Sequence, residues 1–340
     1  MSDITRTVLS STIFNVIGVC TAATILIKLS SLIRNYTRSS KLYKFAHPSQ
    51  TGESPWALVT GASDGIGRAL AEELAANGFN AIIHGRNSEK LSKVTSELQA
   101  AFPQRSFKYL VADANNVRCA NCVKASQNGG SNKIAGVDFE AIKHEVEGLN
   151  LTVLINNVGG NPVDPIFMPL KDKGELKTTE NISLNALFPI HLTRALLPNL
   201  IQNAPALVIN ISTMTEDCLP LLAAYGASKR FLLTIANSIR LELAMEGKED
   251  DVEILGVRTG RVTDVVGWKE PPTFFIPTAK RYAKAVLSHA GHGHGIVVGY
   301  WAHALQDAMS FLMPSKVKDK VIIDIMRRTK EWDDKAKKQL

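Results

Sequence analysis

The sequence predicts an α/β fold, a doubly wound parallel sheet, preceded by a transmembrane helix. Three observations support this fold class. Short apolar runs alternate with helical patterns, a glycine-rich turn follows the first run, and an uncharged segment lies near the N-terminus. Strands that alternate with helices at this spacing pair in parallel, and the helices then cover both faces of the sheet. The chain of 340 residues has room for one or two domains.

The N-terminal segment carries no charged residue from position 7 to position 27. This is about the length needed to cross ~30 Å of hydrocarbon, so the segment predicts an uncleaved, single-pass membrane anchor. A buried core helix is the alternative. Lys and Arg residues mark the cytoplasmic flank of an anchor. Arg6 precedes the segment, whereas the residues that follow it include Lys28, Arg34, Arg38, Lys41 and Lys44. We therefore expect the rest of the chain in the cytosol.

Positive charge is concentrated at the two ends of the chain. Residues 1–50 carry a net charge of +5 and residues 314–340 carry +4, which leaves −2 for residues 51–313. Basic ends on a slightly acidic body favour a lipid bilayer over nucleic acid as a partner. We expect a membrane anchor with a basic linker at 1–50, a folded body at 51–313 and a basic tail at 314–340.

Six apolar runs in the body predict buried strands. They are residues 56–60, 81–83, 107–111, 151–155, 206–211 and 252–257. Helical spacing of apolar residues over 66–76 and 89–101 predicts helices between the first three strands. Sheets of this kind bind ligands outside the carboxyl ends of their strands. Motifs at those ends are therefore the best indicators of function.

A glycine-rich turn joins the first strand to the helix that follows it. Gly61, Gly65 and Gly67 stand in the sequence T-G-A-S-D-G-I-G. Glycine allows a tight turn and a close approach of the backbone to a ligand, and the N-terminus of the next helix favours phosphate. This strand–turn–helix context predicts a Rossmann-type dinucleotide site, which also includes Ser63 and Ile66.

The end of the second strand indicates which dinucleotide is bound. An acidic residue there would bind the ribose 2′-hydroxyl of NAD, but this chain has His84-Gly85-Arg86-Asn87. A guanidinium group pairs well with the 2′-phosphate that distinguishes NADP from NAD. Arg86 therefore predicts NADP(H) as the cofactor, with an ordinary surface arginine as the alternative.

Tyr225 and Lys229 lie four residues apart, which places them on one face of a helix. A phenol has an ordinary pKa of about 10, and a nearby ammonium group lowers it. The pair therefore predicts a proton donor. Ser212 closes the fifth strand 13 residues before Tyr225, and its hydroxyl can polarise a carbonyl group. Asn185, on the helical stretch after the fourth strand, is expected in the same crevice.

These motifs together resemble the short-chain dehydrogenase/reductase superfamily over roughly residues 55–265. The match consists of T-G-x-x-x-G-x-G, N-N-x-G, an asparagine, a serine and Y-x-x-x-K in the family's order. The resemblance implies that Tyr225 donates a proton, while Lys229 lowers its pKa and binds the nicotinamide ribose. It implies that Ser212 orients the carbonyl group and that Asn185 holds a proton-relay water. The body at 51–313 is then an NADP-binding catalytic domain.

The resemblance also implies cofactor contacts outside the glycine turn. Asp113 corresponds to a residue that contacts the adenine. The N-N-V-G turn, with Asn157 and Gly159, lies beside the adenine ribose. Val262 and Thr263 belong to the loop against the nicotinamide amide.

Two positions depart from the family's pattern. Thr259 stands where the family has proline, which could loosen the placement of the nicotinamide. The fifth strand ends N-I-S-T, so Thr213 is an alternative to Ser212 by motif, although the spacing to Tyr225 favours Ser212.

Finer features resemble the very-long-chain 3-oxoacyl-CoA reductase / 17β-hydroxysteroid dehydrogenase branch of the superfamily. They are the N-N-V-G turn, L-P-L-L before Tyr225 and F-I-P-T-A at 275–279. This resemblance implies that NADPH reduces the 3-oxo group of a long-chain acyl-CoA in fatty-acid elongation. The alternatives are a steroid or specialised-metabolite ketone, and a non-catalytic membrane scaffold. Whether the protein forms a homodimer or binds partners in an elongation complex stays an open question at this point. Lys337 and Lys338 resemble a dilysine signal, which implies the endoplasmic reticulum membrane.

Two further segments give weaker signals. Cys119 and Cys122 form a C-x-x-C pair, but a zinc site would need further ligands, so no metal is predicted. The apolar segment 296–313 is interrupted by His303 and Asp307, so we do not expect it to span a membrane. It contacts the membrane interface, walls an acyl pocket, or forms an ordinary core helix.

Overall fold

The computed structural model describes residues 3–117, 136–160, 166–217 and 219–338. The chain divides into two compact units, one up to residue 39 and one from residue 40 onward. The first unit is the helix α1, Asp3–Thr37. Its segment Asn15–Thr37 is long and apolar enough to cross a membrane, judged by length and composition.

The second unit is built on a parallel sheet. Its strands are β1 Trp56–Thr60, β2 Asn80–Gly85, β3 Phe107–Val111, β4 Leu151–Asn156, β5 Ala206–Ile211, β6 Val252–Arg258 and β7 Gly295–Val298. Their order across the sheet is β3-β2-β1-β4-β5-β6-β7. Neighbouring strands pair in parallel throughout the described sheet. The predicted Rossmann-type, doubly wound sheet is confirmed.

Helices connect the strands and cover both faces of the sheet. They are α2 Gly65–Ala76, α3 Ser88–Ala101, α4 Phe139–Val146, α5 Glu175–Ile182, α6 Phe188–Gln202, α7 Ala223–Met245, α8 Ala279–Ser288, α9 Trp301–Phe311 and α10 Ser315–Lys338. Side-chain caps fix the starts of several helices. Asp64 accepts from the N–H of Gly65 at α2, and Asn87 accepts from the N–H of Lys90 at α3.

The core lies on both faces of the sheet because successive side chains of a strand point to opposite sides. In β1, Ala57 and Val59 pack with α2, α3 and α8 on one face. Leu58 packs with α4 and α6 on the other. β2 lies on one side of β1 and β4 lies on the other, so the direction in which successive strands are added reverses between β1 and β4. The crevice at their carboxyl ends is therefore the expected ligand site.

Two C-terminal segments have structures that the sequence did not predict. The apolar run 296–313 divides into β7 and α9. β7 has four residues and pairs only with β6 in the described sheet. Because it is short and lies close to α9 along the chain, the apolar residues of the two elements form one continuous run in the sequence. Most of 314–340, expected as a basic tail, forms the helix α10. Cys119 and Cys122 lie outside the described residues, among which no group of three metal-ligating side chains occurs.

Candidate active site

The glycine turn lies at the carboxyl end of β1 and leads into α2. Gly61 and Gly65 have φ angles of 64° and 53°, the left-handed region that favours glycine. A Cβ atom on Gly67 would overlap the carbonyl oxygen of Gly61, so α2 begins directly against the turn. Ser63 and Ile66 are half-buried between these glycines. This arrangement fits a dinucleotide, because its pyrophosphate needs close backbone approach and a helix N-terminus.

Asn157 joins the ends of β1 and β4. Its side-chain amide donates to the carbonyl oxygen of Thr60 over 2.8 Å. The backbone N–H groups of Asn157 and Val158 both donate to the Thr60 hydroxyl at 2.9 Å. That hydroxyl donates in turn to the carbonyl oxygen of Ile155 at 3.2 Å. Asn157 therefore fixes the two strand ends that border the crevice.

The predicted adenine-side residues lie at the ends of β2 and β3, at the same edge of the sheet as the glycine turn. Arg86 is exposed directly after β2. Lys90 on α3 pairs with Asp64 over 2.7 Å, and this hydrogen bond is the main cause that lowers the pKa of Asp64. Asp113 follows β3 and accepts hydrogen bonds from the backbone and the side chain of Asn115. These positions lie at the edge of the sheet where the adenine end of a dinucleotide is predicted to bind.

Lys229 lies on α7 with its ammonium group buried at the ends of β4 and β5. Its Nζ donates to the carbonyl oxygen of Ile211 over 2.9 Å. A Cβ atom on Gly159 would lie 2.5 Å from this Nζ and 2.8 Å from Oδ1 of Asn185. Gly159, Asn185 and Lys229 thus share one tightly packed point. Burial lowers the pKa of Lys229 to about 8.

Asn185 lies in a π-helical segment, Ser183–Leu187, between α5 and α6. Its Oδ1 accepts from the N–H of Gly160 at 3.0 Å, and its Nδ2 donates to the carbonyl oxygen of Gly160 at 2.8 Å. The same Nδ2 donates to the carbonyl oxygen of Asn181 at 2.9 Å. Such wide turns often occur at functional sites. Here the segment brings the Asn185 amide against the backbone after β4.

Tyr225 lies one turn before Lys229 and is half-buried. Burial raises the pKa of Tyr225, and a hydrogen bond with the Thr213 side chain opposes this shift. The sequence predicted a pKa lowered by Lys229. The difference arises because loss of hydration disfavours the phenolate more than its neighbours favour it. Tyr225 is therefore a protonated phenol at neutral pH, the form that can donate.

The hydroxyl group that meets Tyr225 belongs to Thr213, not to Ser212. The Thr213 oxygen accepts from the backbone N–H of Thr215 at 3.2 Å, which orients it. Ser212 Oγ lies 3.0 Å from the carbonyl oxygen of Lys229 and 3.2 Å from a carboxylate oxygen of Glu216. Its single proton is therefore used within the protein. This differs from the choice of Ser212 that spacing along the sequence favoured.

A partly buried ion-pair chain lies behind Ser212, in which Glu216 is buried and Asp307 is one-third exposed. Arg258, at the end of β6, donates to Glu216 over 2.5 Å and to Asp307 over 2.6 Å. Asp307 comes from α9, where the sequence showed only a break in an apolar run. The chain therefore connects the end of β6 to α9 and to the short turn after β5. Sequence reasoning missed these residues, since no local pattern relates positions so far apart.

His303 of α9 holds the loop that the resemblance assigns to the nicotinamide. Its Nδ1 accepts from the N–H of Gly260 at 3.2 Å, and its Nε2 donates to the carbonyl oxygens of Arg261 and Phe275, each at 3.1 Å. Burial lowers the pKa of His303, which favours the neutral ring that these contacts require. A lone histidine inside an apolar run was the signal that could have identified it.

The same loop explains the departure at Thr259. The hydroxyl of the fully buried Tyr282 donates to Thr259 Oγ1 over 2.7 Å, so threonine supplies an acceptor that proline would lack. Val262 and Thr263 are buried directly beyond it. The Thr263 hydroxyl donates to the carbonyl oxygen of Glu270 at 2.6 Å. The loop is therefore fixed, not loosened, at this point.

Apolar side chains pack against Tyr225 on the remaining side. Phe167, Leu222 and Met326 form a buried cluster, and Tyr225 and Ile322 pack on it. Met326 and Ile322 come from α10, so the C-terminal helix contributes directly to the site. We call these five residues the Tyr225 cluster. It gives the site an apolar wall.

Comparison with known proteins identifies the family. Residues 55–270 match the family described as short chain dehydrogenase. A very-long-chain 3-oxoacyl-CoA reductase-like protein of Arabidopsis thaliana is 31% identical over 280 residues, which cover 81% of this chain and 82% of the relative. The very-long-chain 3-oxoacyl-CoA reductase of Mycosarcoma maydis is 30% identical, over 76% of this chain and 70% of that protein.

Solved structures share the fold at lower sequence identity. A short-chain dehydrogenase from Sphingobium yanoikuyae in complex with NADPH matches with a TM-score of 0.57 and 20% identity, over 77% of this chain and 97% of that chain. A structure described for 7β-hydroxysteroid dehydrogenase stereoselectivity matches with a TM-score of 0.63 and 21% identity, over 81% and 96%. At these identities the likeness shows the fold alone.

Proposed function

The chain belongs to the short-chain dehydrogenase/reductase family, and from that premise we propose that it reduces a lipophilic ketone with NADPH. Members of the family are NAD(P)-dependent oxidoreductases that act on CH–OH and C=O groups, and this chain is one of them. The substrate that fits best is the 3-oxo group of a long-chain acyl-CoA, as in fatty-acid elongation. The observation that carries this choice is the Tyr225 cluster, an apolar wall beside the proton donor.

A long acyl chain can bury apolar surface against such a wall, whereas a small polar metabolite cannot. Burial of apolar surface contributes about 25 cal/mol per Å², so each added methylene favours binding. Phe167, Leu222 and Met326 are buried next to the phenol, so an acyl chain that enters there meets apolar side chains. The names of the Arabidopsis thaliana and Mycosarcoma maydis relatives, which refer to very-long-chain 3-oxoacyl-CoA, support the same substrate class.

In the proposed mechanism, Tyr225 donates the proton and Thr213 orients the substrate. When the ketone binds, Tyr225 and Thr213 give up their mutual hydrogen bond, and the phenol and the hydroxyl both donate to the ketone oxygen. A bound nicotinamide dinucleotide supplies the hydride to the carbonyl carbon. The carbonyl oxygen takes the phenol proton, which gives the alcohol. Tyr225 is left as a phenolate and is reprotonated from solvent. The Lys229 ammonium, one turn away, favours that phenolate.

The residues proposed to hold the cofactor lie along the crevice. The glycine turn binds the pyrophosphate, Arg86 the 2′-phosphate, and Lys229 with Tyr225 the nicotinamide ribose. Asn185 holds the turn after β4 and a proton-relay water. The full set for the cofactor is Gly61, Ser63, Gly65, Ile66, Gly67, Arg86, Asp113, Asn157, Gly159, Tyr225, Lys229, Val262 and Thr263.

We place the protein in the endoplasmic reticulum membrane, with α1 as a single-pass anchor and the catalytic part in the cytosol. The length and composition of Asn15–Thr37 support the anchor. The cations Arg34, Arg38, Lys41 and Lys44 near its end support a cytosolic catalytic domain. In this arrangement the anchor and linker occupy 1–50 and the catalytic domain begins near residue 51.

The substrate assignment predicts NADPH oxidation by the detergent-purified protein with a long-chain 3-oxoacyl-CoA. Tyr225→Phe removes the proton donor and should lower turnover by roughly 100-fold or more while NADPH binding is retained. The measurement is absorbance of NADPH over a series of acyl-chain lengths, with steroid ketones in parallel. Turnover of steroids but not of acyl-CoA, or equal turnover by Tyr225→Phe, would contradict the proposal. NADPH binding without turnover of any ketone would indicate a scaffold.

The cofactor assignment predicts that Arg86→Ala weakens NADPH binding by roughly 10- to 100-fold, because a charge-assisted contact to the 2′-phosphate is lost. Binding of NADH, which has no such phosphate, should stay unchanged. Isothermal titration of each dinucleotide measures both. Arg105→Ala is the matched control, because Arg105 precedes β3 and so lies at the opposite edge of the sheet from Arg86. An unchanged NADPH affinity in Arg86→Ala would remove Arg86 from the site.

The assignment of Thr213 predicts opposite behaviour for two neighbouring hydroxyls. Thr213→Val keeps the side-chain shape but removes a donor to the developing oxyanion, so kcat should fall by about 100-fold. Ser212→Ala should cost mainly stability, since its hydroxyl is bonded within the protein. Steady-state kinetics and thermal unfolding of both variants decide the matter. A larger loss of kcat in Ser212→Ala than in Thr213→Val would restore Ser212 as the orienting hydroxyl.

A further inference from the structure

The chain between β6 and α8 runs along the crevice at the carboxyl ends of the strands. It starts beside the turn after β5, because the backbone N–H of Met214 donates to the carbonyl oxygen of Thr259 over 2.9 Å. It reaches the glycine turn at Val265, whose side chain would lie 3.1 Å from a Cβ atom on Gly65. We call residues 259–278 the β6–α8 segment. It borders the crevice from the turn after β5 to the glycine turn.

The two ends of the β6–α8 segment pair with each other. The backbone N–H of Thr263 donates to the carbonyl oxygen of Pro277 at 3.0 Å, and the N–H of Ala279 donates to that of Thr263 at 3.1 Å. In the loop between these ends, the Trp268 ring lies against the Arg261 guanidinium, 4.4 Å from its carbon. The place of this loop at the glycine turn therefore depends on how its two ends are held.

His303 of α9 binds both ends of the segment. At the start of the segment, its Nδ1 accepts from the N–H of Gly260 and its Nε2 donates to the carbonyl oxygen of Arg261. At the other end, the same Nε2 donates to the carbonyl oxygen of Phe275. The side chain is fully buried, and a Cβ atom on Gly260 would lie 2.8 Å from its ring. Both ring nitrogens thus serve this one segment.

The helix that carries His303 is itself fixed to the strand from which the segment leaves. Asp307, one turn later on α9, pairs with Arg258 at the end of β6 over 2.6 Å. A buried histidine that only filled the core would bond to its surroundings in general. Here the ring lies on a fixed support, and its polar contacts converge on the segment that borders the crevice.

We propose that His303 is a positioning residue for the cofactor, which holds the β6–α8 segment against the nicotinamide half of NADPH. The inference rests on the proposed function, in which the ketone is reduced beside Tyr225 and the pyrophosphate lies on the glycine turn. The nicotinamide then lies between these two points, and the segment passes along that interval. The adenine half lies at the ends of β2 and β3, away from the contacts of His303. Small displacements of a positioning group are enough to weaken a productive complex.

Binding of two ligands to His303→Phe tests this role. Phenylalanine keeps an aromatic ring but removes the polar contacts, so the affinity for NADPH should fall by roughly 10- to 100-fold. Adenosine 2′,5′-bisphosphate carries the adenine half of the cofactor without the nicotinamide, and its affinity should stay unchanged. Isothermal titration measures both. His289→Phe is the matched control, because His289 is 1% exposed but lies between α8 and β7, at the opposite edge of the sheet from the crevice.

His303→Gln supplies the rescue. Its amide can donate to both carbonyl oxygens, so it should recover most of the affinity for NADPH. If His303→Phe does not fold, His303→Asn takes its place, since it keeps an acceptor for the N–H of Gly260 but loses the reach to Phe275. Unchanged NADPH affinity in the folded variant, an equal loss for both ligands, or no recovery in His303→Gln would overturn the proposal.

The titrations contain no ketone, so a wrong substrate assignment leaves their outcome unaffected. Failure of the unaltered protein to bind NADPH would instead contradict the proposed function itself. The two failures are therefore distinguishable in one set of measurements.

Discussion

The buried ammonium group of Lys229 is the constraint on which the rest of the site depends. It lies between the ends of β4 and β5, bonded to the carbonyl oxygen of Ile211 over 2.9 Å. Removing a charge from water is costly, and the lowered pKa of about 8 reflects that cost. A Cβ atom at position 159 would lie 2.5 Å from this Nζ, so a larger residue there would have to displace the ammonium. This packing fixes α7 and brings Tyr225, one turn earlier, against Thr213.

A second set of contacts reaches the same crevice from the C-terminal part of the chain. His303 holds the loop after β6, Asp307 secures Arg258, and Met326 packs in the Tyr225 cluster. The family match ends at residue 270, so all three lie beyond it. The active-site crevice is thus completed by helices that lie beyond the part of the chain matched by the family model.

The sequence predicted the fold class, the family and the oxidoreductase class, and all three are confirmed. Central parallel strands are buried on both faces, so they read as continuous apolar runs. Contacts distant in sequence were not predictable. Spacing favoured Ser212, but the direction of each hydroxyl depends on Glu216 and on the turn after β5. The raised pKa of Tyr225 depends on burial, which no motif records.

The most direct test of the account is the pH dependence of kcat for ketone reduction at saturating NADPH and 3-oxoacyl-CoA. The pKa of Lys229 is lowered to about 8, so its charge is lost above that pH and not near its ordinary value. A constant kcat from about pH 6 to 7.5, followed by a fall of about tenfold per pH unit above 8, is the predicted result. A kcat that stays constant to about pH 10, or that rises, would contradict the Tyr225–Lys229 pair as the proton donor.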